Sequence, residues 1–297
     1  MSGHRPPITP SLAHSLDSST PSLSFVRSAN SSLTCLLTQS TCMMSSGSDE
    51  QLSGFLAHAV LQAERAHTGR GIWDEYYTSE RVSERVSEGE GEGEGVSERV
   101  SELVSSAALK GLQHCVENAV DSIYHYSRFI VLYDECVSEG VAQGGEDSHQ
   151  RPVACASGFL YPEVSMGKVL RGLRVANEEV MQWTSEESDA AEDRLGFLSQ
   201  TFPEGVDFTG RWMIEGVYTH TSCRGRGLAS RVIKSVLEQG RVRECKEALI
   251  TCAVGNTPAY QLYTKLGFTS LGCGDSEECM KKLGTRGFHV LRYVYPQ

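Results

Sequence analysis

The chain has 297 residues, 39% of them hydrophobic, and a net charge of −11 at pH 7. That length suffices for one large domain or two small ones. No run of about 18 apolar residues occurs, so the sequence predicts neither a membrane span nor a secretory signal. The ten cysteines include no CxxC pair, which argues against a zinc site or a redox dithiol and predicts no bound metal. We expect reduced thiols and a cytoplasmic protein.

Two segments differ in composition from the rest of the chain. The first 48 residues hold 19 Ser or Thr, one acidic residue and no sustained apolar periodicity, which predicts a disordered tail over 1–48. Its Ser-rich, acid-poor character leaves an organelle-targeting peptide as an alternative. Residues 78–103 hold eight Glu against three Arg in short repeats, which predicts a low-complexity acidic loop. We therefore expect a tail and then a single domain over 49–297, interrupted by this loop.

Apolar periodicity predicts an alternation of helices and strands through the domain. Helices are expected over 51–67, 104–126, 227–239 and 257–266, and strands over 128–136, 152–161, 211–219, 248–253, from 268, and over 288–295, with a partly helical acidic connection over 163–200. Strands that are apolar on both faces need helices on both sides. The sequence therefore predicts an α/β layer fold around a central mixed sheet.

A glycine turn over residues 223–229 follows one of these strands and precedes a helix. This arrangement directs unpaired backbone N–H groups and the positive end of the helix dipole to one point, where an anion such as a pyrophosphate is favoured. The spacing is neither that of a P-loop nor a Gly-x-Gly-x-x-Gly. What remains is Arg-x-x-Gly-x-Ala, formed by Arg224, Gly227 and Ala229.

This run resembles the acyl-CoA signature of the GNAT superfamily of N-acyltransferases, [Arg/Gln]-x-x-Gly-x-[Gly/Ala]. Residues 256–268 are similar to that family's Asn-x-x-Ala-x-x-x-Tyr-x-x-x-Gly-Phe helix and turn. Two further runs, Trp-x-Ile-Glu-x-Val before the turn and the segment 67–74, resemble an uncharacterised branch of predicted acetyltransferases. The resemblance implies a mostly antiparallel sheet with helices on both faces and a splayed strand pair at the cofactor site.

The resemblance also implies acyl-CoA, in the simplest case acetyl-CoA, as co-substrate. Backbone N–H groups on the strand would hold the pantetheine arm and the thioester oxygen. Backbone N–H groups of the turn would hold the pyrophosphate. Asn256 would bind the pantetheine arm, cap its helix, or do both. The cofactor-binding residues predicted in the strand and the turn are Val217, Tyr218, Thr219, Arg224, Gly225, Arg226, Gly227, Leu228 and Ala229. Residues 205–270 carry nine Lys or Arg against five Asp or Glu, which suits a polyanion.

Two residues are candidates for proton transfer. Tyr263 lies where the family has the tyrosine that protonates the departing thiolate; the alternative is a core tyrosine. Glu215 is the candidate general base, because strand alternation places it on one face with Val217 and Thr219. A water-mediated base, an acceptor anchor and an ion pair with an Arg remain open for Glu215. We read His220 as a loop residue, and an acyl-Cys223 is rejected because the family forms a ternary complex.

The expected function is transfer of an acetyl group from acetyl-CoA to a primary amine. The alternative is an acyl-CoA-binding or sensing module without turnover. The segment 175–204 holds eight Asp or Glu against Arg194 alone, which favours a cationic acceptor, either a small amine or a peptide. The basic residues cluster at one turn and helix without an aromatic surface, so nucleic acid is not expected as a partner. A monomer or homodimer without membrane association is expected.

Overall fold

The computed structural model describes residues 49–78, 95–135 and 150–296. The helices in these ranges are α1 (Asp49–Arg65), α2 (Ile72–Tyr77), α3 (Gly95–Asn118), α4 (Met166–Val175), α5 (Ser185–Asp193), α6 (Leu228–Val242), α7 (Thr257–Lys265) and α8 (Glu277–Leu283). The strands are β1 (Phe129–Glu135), β2 (Gln150–Leu160), β3 (Trp212–Thr219), β4 (Glu247–Ala253), β5 (Thr269–Cys273) and β6 (Phe288–Val294). No described helix is long and apolar enough to cross a membrane.

The six strands form one sheet in the order β1-β2-β3-β4-β6-β5. Every neighbouring pair is antiparallel except β3 and β4, which run parallel. The β3–β4 pairing runs only from Trp212 opposite Ala248 to Ile214 opposite Ile250. Beyond these residues a gap opens between the two strands, which we call the β3–β4 gap. The predicted mostly antiparallel α/β sheet with a splayed strand pair is confirmed.

Two apolar clusters cover the sheet, one on each face. The first, which we call the α1-side cluster, joins α1, α2, α3, α4 and α8 to Met213 and Tyr218 of β3. The second, the α6-side cluster, joins α6 and α7 to Trp212 and Ile214. Helix α6 packs on the sheet because its buried residues recur at helical spacing and form one apolar side. These residues are Leu228, Val232, Ile233 and Val236. Each such fully buried side chain contributes about 1.5–3 kcal/mol. Successive β3 residues therefore face different clusters.

A β-bulge interrupts this alternation on β3. Ser157 of β2 lies opposite Glu215, and Cys155 of β2 lies opposite Tyr218. Between these two pairs β2 advances by two residues and β3 by three. The extra β3 residue is accommodated at Gly216, whose φ of 60° is a left-handed conformation that glycine tolerates best. Val217 consequently packs on the α6 side. The prediction that Glu215, Val217 and Thr219 share one face is therefore wrong, because the bulge shifts the residues after it by one position.

Three helices differ from the sequence-based expectation. Helix α3 begins at Gly95, so residues 95–103 of the predicted acidic loop are helical. Val100 and Val104 lie one turn apart there and pack on the α1-side cluster, which stabilises the helix. Helices α2 and α8 were not predicted, because both are short and follow or precede glycines that favour turns. The predicted tail over 1–48 and the loop residues 79–94 lie outside the described residues.

Candidate active site

The glycine turn lies between the end of β3 and α6. Gly225 and Gly227 have φ values of 77° and 74°, and Gly227 is the N-cap of α6. Among the described residues, the backbone N–H groups of 225–229 donate to no backbone carbonyl. A methyl group on either glycine would meet nothing within 4 Å. The turn thus presents free N–H groups and open space at the positive end of a helix, as an anion site requires.

The side chains around the turn hold it in place. The guanidinium of Arg226 pairs with Asp134 of β1 at 3.1 Å, which ties the turn to the first strand. Cys223 is buried beneath the turn, and its N–H donates to the carbonyl of His220 at 2.9 Å. The ring of His220 lies 2.8 Å from a guanidinium nitrogen of Arg151. Burial and the nearby arginines lower the pKa of His220, which follows the last residue of β3.

Thr219 is the β3 residue that faces the β3–β4 gap. The N–H of His220 donates to the Val153 carbonyl of β2 at 2.8 Å. Because alternate strand residues direct their backbone groups to opposite edges, Thr219 points its own backbone away from β2. Its carbonyl accepts from Arg224 Nε at 3.4 Å on that side, and its buried hydroxyl has no partner within the described part of the chain. Tyr218 pairs with Cys155 and is buried.

Helix α7 carries the second motif. The Asn256 side chain accepts from the Ala259 N–H at 3.3 Å, so the capping role foreseen for Asn256 is present. One to two turns later, Tyr263 is buried in the α6-side cluster, with its ring 6.2 Å from that of Phe268. Burial, Cys252 and the charge of Glu215 raise the pKa of Tyr263 well above its usual value. The phenol is therefore held in its protonated form.

Glu215 lies on the α1 side of β3, the face that it shares with Met213. Burial and the charge of a second carboxylate, Glu64, raise the pKa of Glu215 to about 8. Among the described residues, the Glu215 side chain has no ion-pair or hydrogen-bond partner. The alternative of a structural ion pair with an Arg finds no support, and the carboxylate can take up a proton near neutral pH.

Glu64, in the last turn of α1, was missed by the sequence reading. Burial raises its pKa to about 7. It follows Val60 by one helical turn and so continues the apolar side of α1. A carboxylate at an apolar helical position was the signal that could have identified it.

The segment 67–74, set aside as a branch motif, fixes the chain beside Glu64. Asp74 accepts from the Gly71 N–H at 2.8 Å and pairs with Arg65 through Nε at 2.8 Å. A methyl group on Gly71 would lie 2.7 Å from the Glu64 Cβ, so the chain passes Glu64 too closely for a side chain. The motif therefore builds the tight connection from α1 to α2.

The raised carboxylate pKa values predict a pH-dependent stability. Between about pH 4.5 and 8 the folded state keeps protons on Glu215 that the unfolded state releases, so the free energy of unfolding falls as the pH rises through this range. Glu215→Gln removes this titration. We expect urea unfolding to show the variant gaining stability relative to wild type from pH 5 to pH 9. A difference that stays constant with pH would contradict the raised pKa.

The chain is similar in sequence and in structure to known acetyltransferases. Residues 146–268 match the model of the acetyltransferase (GNAT) family. Over these residues the chain is similar to that family. Similar solved structures include an acetyltransferase (14% identity, 83% of this chain and 96% of that chain covered, TM-score 0.47). Others are an N-acetyltransferase from Staphylococcus aureus Mu50 (18%, 75% and 94%, 0.38) and the NatC complex bound to Gag peptide and CoA (14%, 64% and 90%, 0.34). No curated protein matches the chain.

The glycine turn and the β3–β4 gap fit an acyl-CoA co-substrate, which suits the similarity to an acetyltransferase family. The turn offers free N–H groups and open space at Gly225 and Gly227, and the gap-facing backbone of Thr219 lies at the end of the strand that leads into it. Among the described residues, no group of three or more His, Cys, Asp or Glu side chains has the arrangement of a metal site.

Proposed function

We propose that the protein transfers an acetyl group from acetyl-CoA to a primary amine in a ternary complex. The observation that carries this proposal is the β3–β4 gap, which has a protonated phenol and an unpartnered carboxylate on its two sides. Tyr263 belongs to the α6-side cluster, and Glu215 lies on the α1 side. The charge of Glu215 acts on the pKa of Tyr263, so the two groups are within electrostatic reach of each other.

The backbone of the chain would bind and polarise the donor. N–H groups of residues 224–229 hold the pyrophosphate, and the gap-facing backbone of Thr219 donates to the pantetheine arm or the thioester oxygen. Val217, Tyr218 and Asn256 complete the proposed binding set along β3 and at the start of α7. Fixed donors aimed at an oxygen that gains negative charge stabilise the transition state without reorganisation.

The two side chains would then move the protons. Glu215 takes a proton from the acceptor ammonium, and the freed nitrogen attacks the thioester carbonyl. The new C–N bond forms, the C–S bond breaks, and the electron pair goes to sulfur. Tyr263 donates its hydroxyl proton to the departing thiolate, and the tyrosinate recovers a proton from the attacking nitrogen, which carries one proton more than the amide needs. The products are an amide and free coenzyme A, and Glu215 passes the first proton to solvent. A base with a pKa of about 8 is suited to this task near neutral pH.

A binding or sensing module is the second candidate function. Such a module needs the glycine turn but has no use for Glu215 and Tyr263 at the gap. The decisive experiment supplies purified protein with acetyl-CoA and a panel of primary amines and follows free thiol. Release of coenzyme A that depends on the amine supports the enzyme, and binding without release supports the module. Longer acyl-CoA thioesters in the same assay measure the preference for acetyl.

The pH dependence of turnover tests Glu215. In wild type we expect kcat/KM to rise with pH to a plateau above about 8, because the base must be ionised. Glu215→Gln should lose that rise and run about 100-fold slower on the plateau, at the lower end of the usual contribution of a general base. Glu247→Gln, which changes a carboxylate paired with Arg211 at 2.7 Å, is the control and should keep the profile. An unchanged profile in Glu215→Gln would exclude it as the base.

A further inference from the structure

The C-terminal end of α1 crosses the β3–β4 gap. A methyl group on Gly216 of β3 would lie 3.8 Å from Val60 Cγ2, which places Val60 over β3. A methyl group on Gly255, just after β4, would overlap the ring of His67. Glu64 lies one helical turn after Val60 on the same side of α1 and three residues before His67, which is in the turn that follows the helix. Glu64 is therefore placed between the two strands, over the gap.

Glu64 and Glu215 approach the gap from different elements. In residues 49–78, 95–135 and 150–296 no ion pair or side-chain hydrogen bond involves either carboxylate. The nearest cation in sequence, Arg65, is bound to Asp74 and to Ser105 instead. Ionised half-buried carboxylates without a cation are costly in free energy, so a cationic ligand at this place would stabilise their ionised forms.

The groups around the two carboxylates support the same conclusion. Tyr124, in the turn before β1, has its pKa raised by burial and then by the charges of Glu64 and Glu215, so both carboxylates act on it electrostatically. Trp73 is fully buried against Tyr124, with ring centroids 5.7 Å apart. His67 lies in the turn that follows α1. None of these neighbours supplies a fixed positive charge.

We propose that Glu64 binds the acceptor as an alkylammonium ion beside Glu215 and thereby selects cationic aliphatic amines over neutral arylamines. The inference rests on the proposed acyl transfer and adds the acceptor class and the residue that recognises it. Glu64 accepts a charge-assisted hydrogen bond from the ammonium, and Glu215 takes the proton that must leave before attack. An arylamine, neutral at pH 7.5, forms no such ion pair.

The test compares a cationic with a neutral acceptor. The assay runs at pH 7.5 with saturating acetyl-CoA and with either butylamine or aniline as the acceptor. It compares wild type with Glu64→Gln and with the control Glu50→Gln, which removes a carboxylate from the other end of α1. We expect Glu64→Gln to raise the KM for butylamine by about tenfold or more, the effect of one lost charge-assisted hydrogen bond, with little change in the KM for aniline. Glu50→Gln should change neither value.

A second readout needs no turnover. Butylammonium chloride should raise the thermal midpoint of wild type above that in the same concentration of sodium chloride, and should not do so in Glu64→Gln. If Glu64→Gln does not fold, Glu64→Met, an apolar replacement of similar length, is judged by the same two readouts. Stabilisation through Glu64 without acyl transfer to any amine would refute the proposed function and leave only the binding of alkylammonium ions at Glu64. Two results would overturn the inference alone. In the first, acyl transfer occurs, but Glu64→Gln changes the KM values for butylamine and aniline equally or changes neither. In the second, acyl transfer occurs, but butylammonium chloride does not stabilise wild type.

Discussion

Gly227→Val is expected to abolish acyl-CoA binding in a protein that remains folded. Gly227 caps α6 with a φ of 74°, and the N–H groups around it donate to no backbone carbonyl among the described residues. A β-branched residue resists this conformation and places methyl groups where the phosphates must approach. Loss of two hydrogen bonds to a charged pyrophosphate, each worth about 1.5–3 kcal/mol, weakens binding about 100-fold or more.

A matched variant separates this loss from general backbone strain. Gly205 lies in an exposed turn with a φ of 75°, and a methyl group there would also meet nothing within 4 Å. Gly205→Val therefore introduces the same strain away from the glycine turn. Calorimetric titration with acetyl-CoA should show normal affinity for Gly205→Val and none for Gly227→Val, with similar thermal midpoints. Wild-type affinity in Gly227→Val would mean that the pyrophosphate is held elsewhere.

The elements that sequence predicted best are those encoded locally. The strand, glycine turn and helix around Gly227 follow from residues a few positions apart, and so does α7 with its Asn256 cap. Their periodicity and turn chemistry are readable without knowledge of the fold. The cofactor side of the site, built from these elements, was therefore accessible from the sequence.

The acceptor side of the site depends on contacts between distant segments. The bulge at Gly216 arises from the register between β2 and β3, and no local pattern specifies it. Glu64 reaches the gap only because α1 packs across β3 and the connection through Gly71 passes close beside it. Sequence placed Glu215 on the correct strand but assigned it the wrong neighbours, because one inserted residue changes the face of every residue after it.

These two sides give the proposed acid and base different environments. Tyr263 sits in an apolar cluster that keeps it protonated, and Glu215 lies next to a second carboxylate that makes it more basic. Tyr263 can therefore donate a proton to the thiolate on one side of the gap, and Glu215 can accept one from the amine on the other side. Removing the phenol hydroxyl therefore tests the acid without disturbing the base.

Tyr263→Phe is expected to lower kcat by about 10²-fold to 10⁴-fold, the usual contribution of a positioned general acid. The variant loses one hydroxyl and little volume, so its packing in the α6-side cluster should persist, with a stability change of about 1 kcal/mol at most. Tyr295→Phe is the matched control, because it removes another buried hydroxyl of the same cluster, one without a partner among the described residues. Turnover is measured with an accepted amine at saturating acetyl-CoA, and Tyr295→Phe should match wild type. If Tyr263→Phe also stays within about threefold of wild type, the tyrosine is a core residue and the thiolate takes its proton from elsewhere.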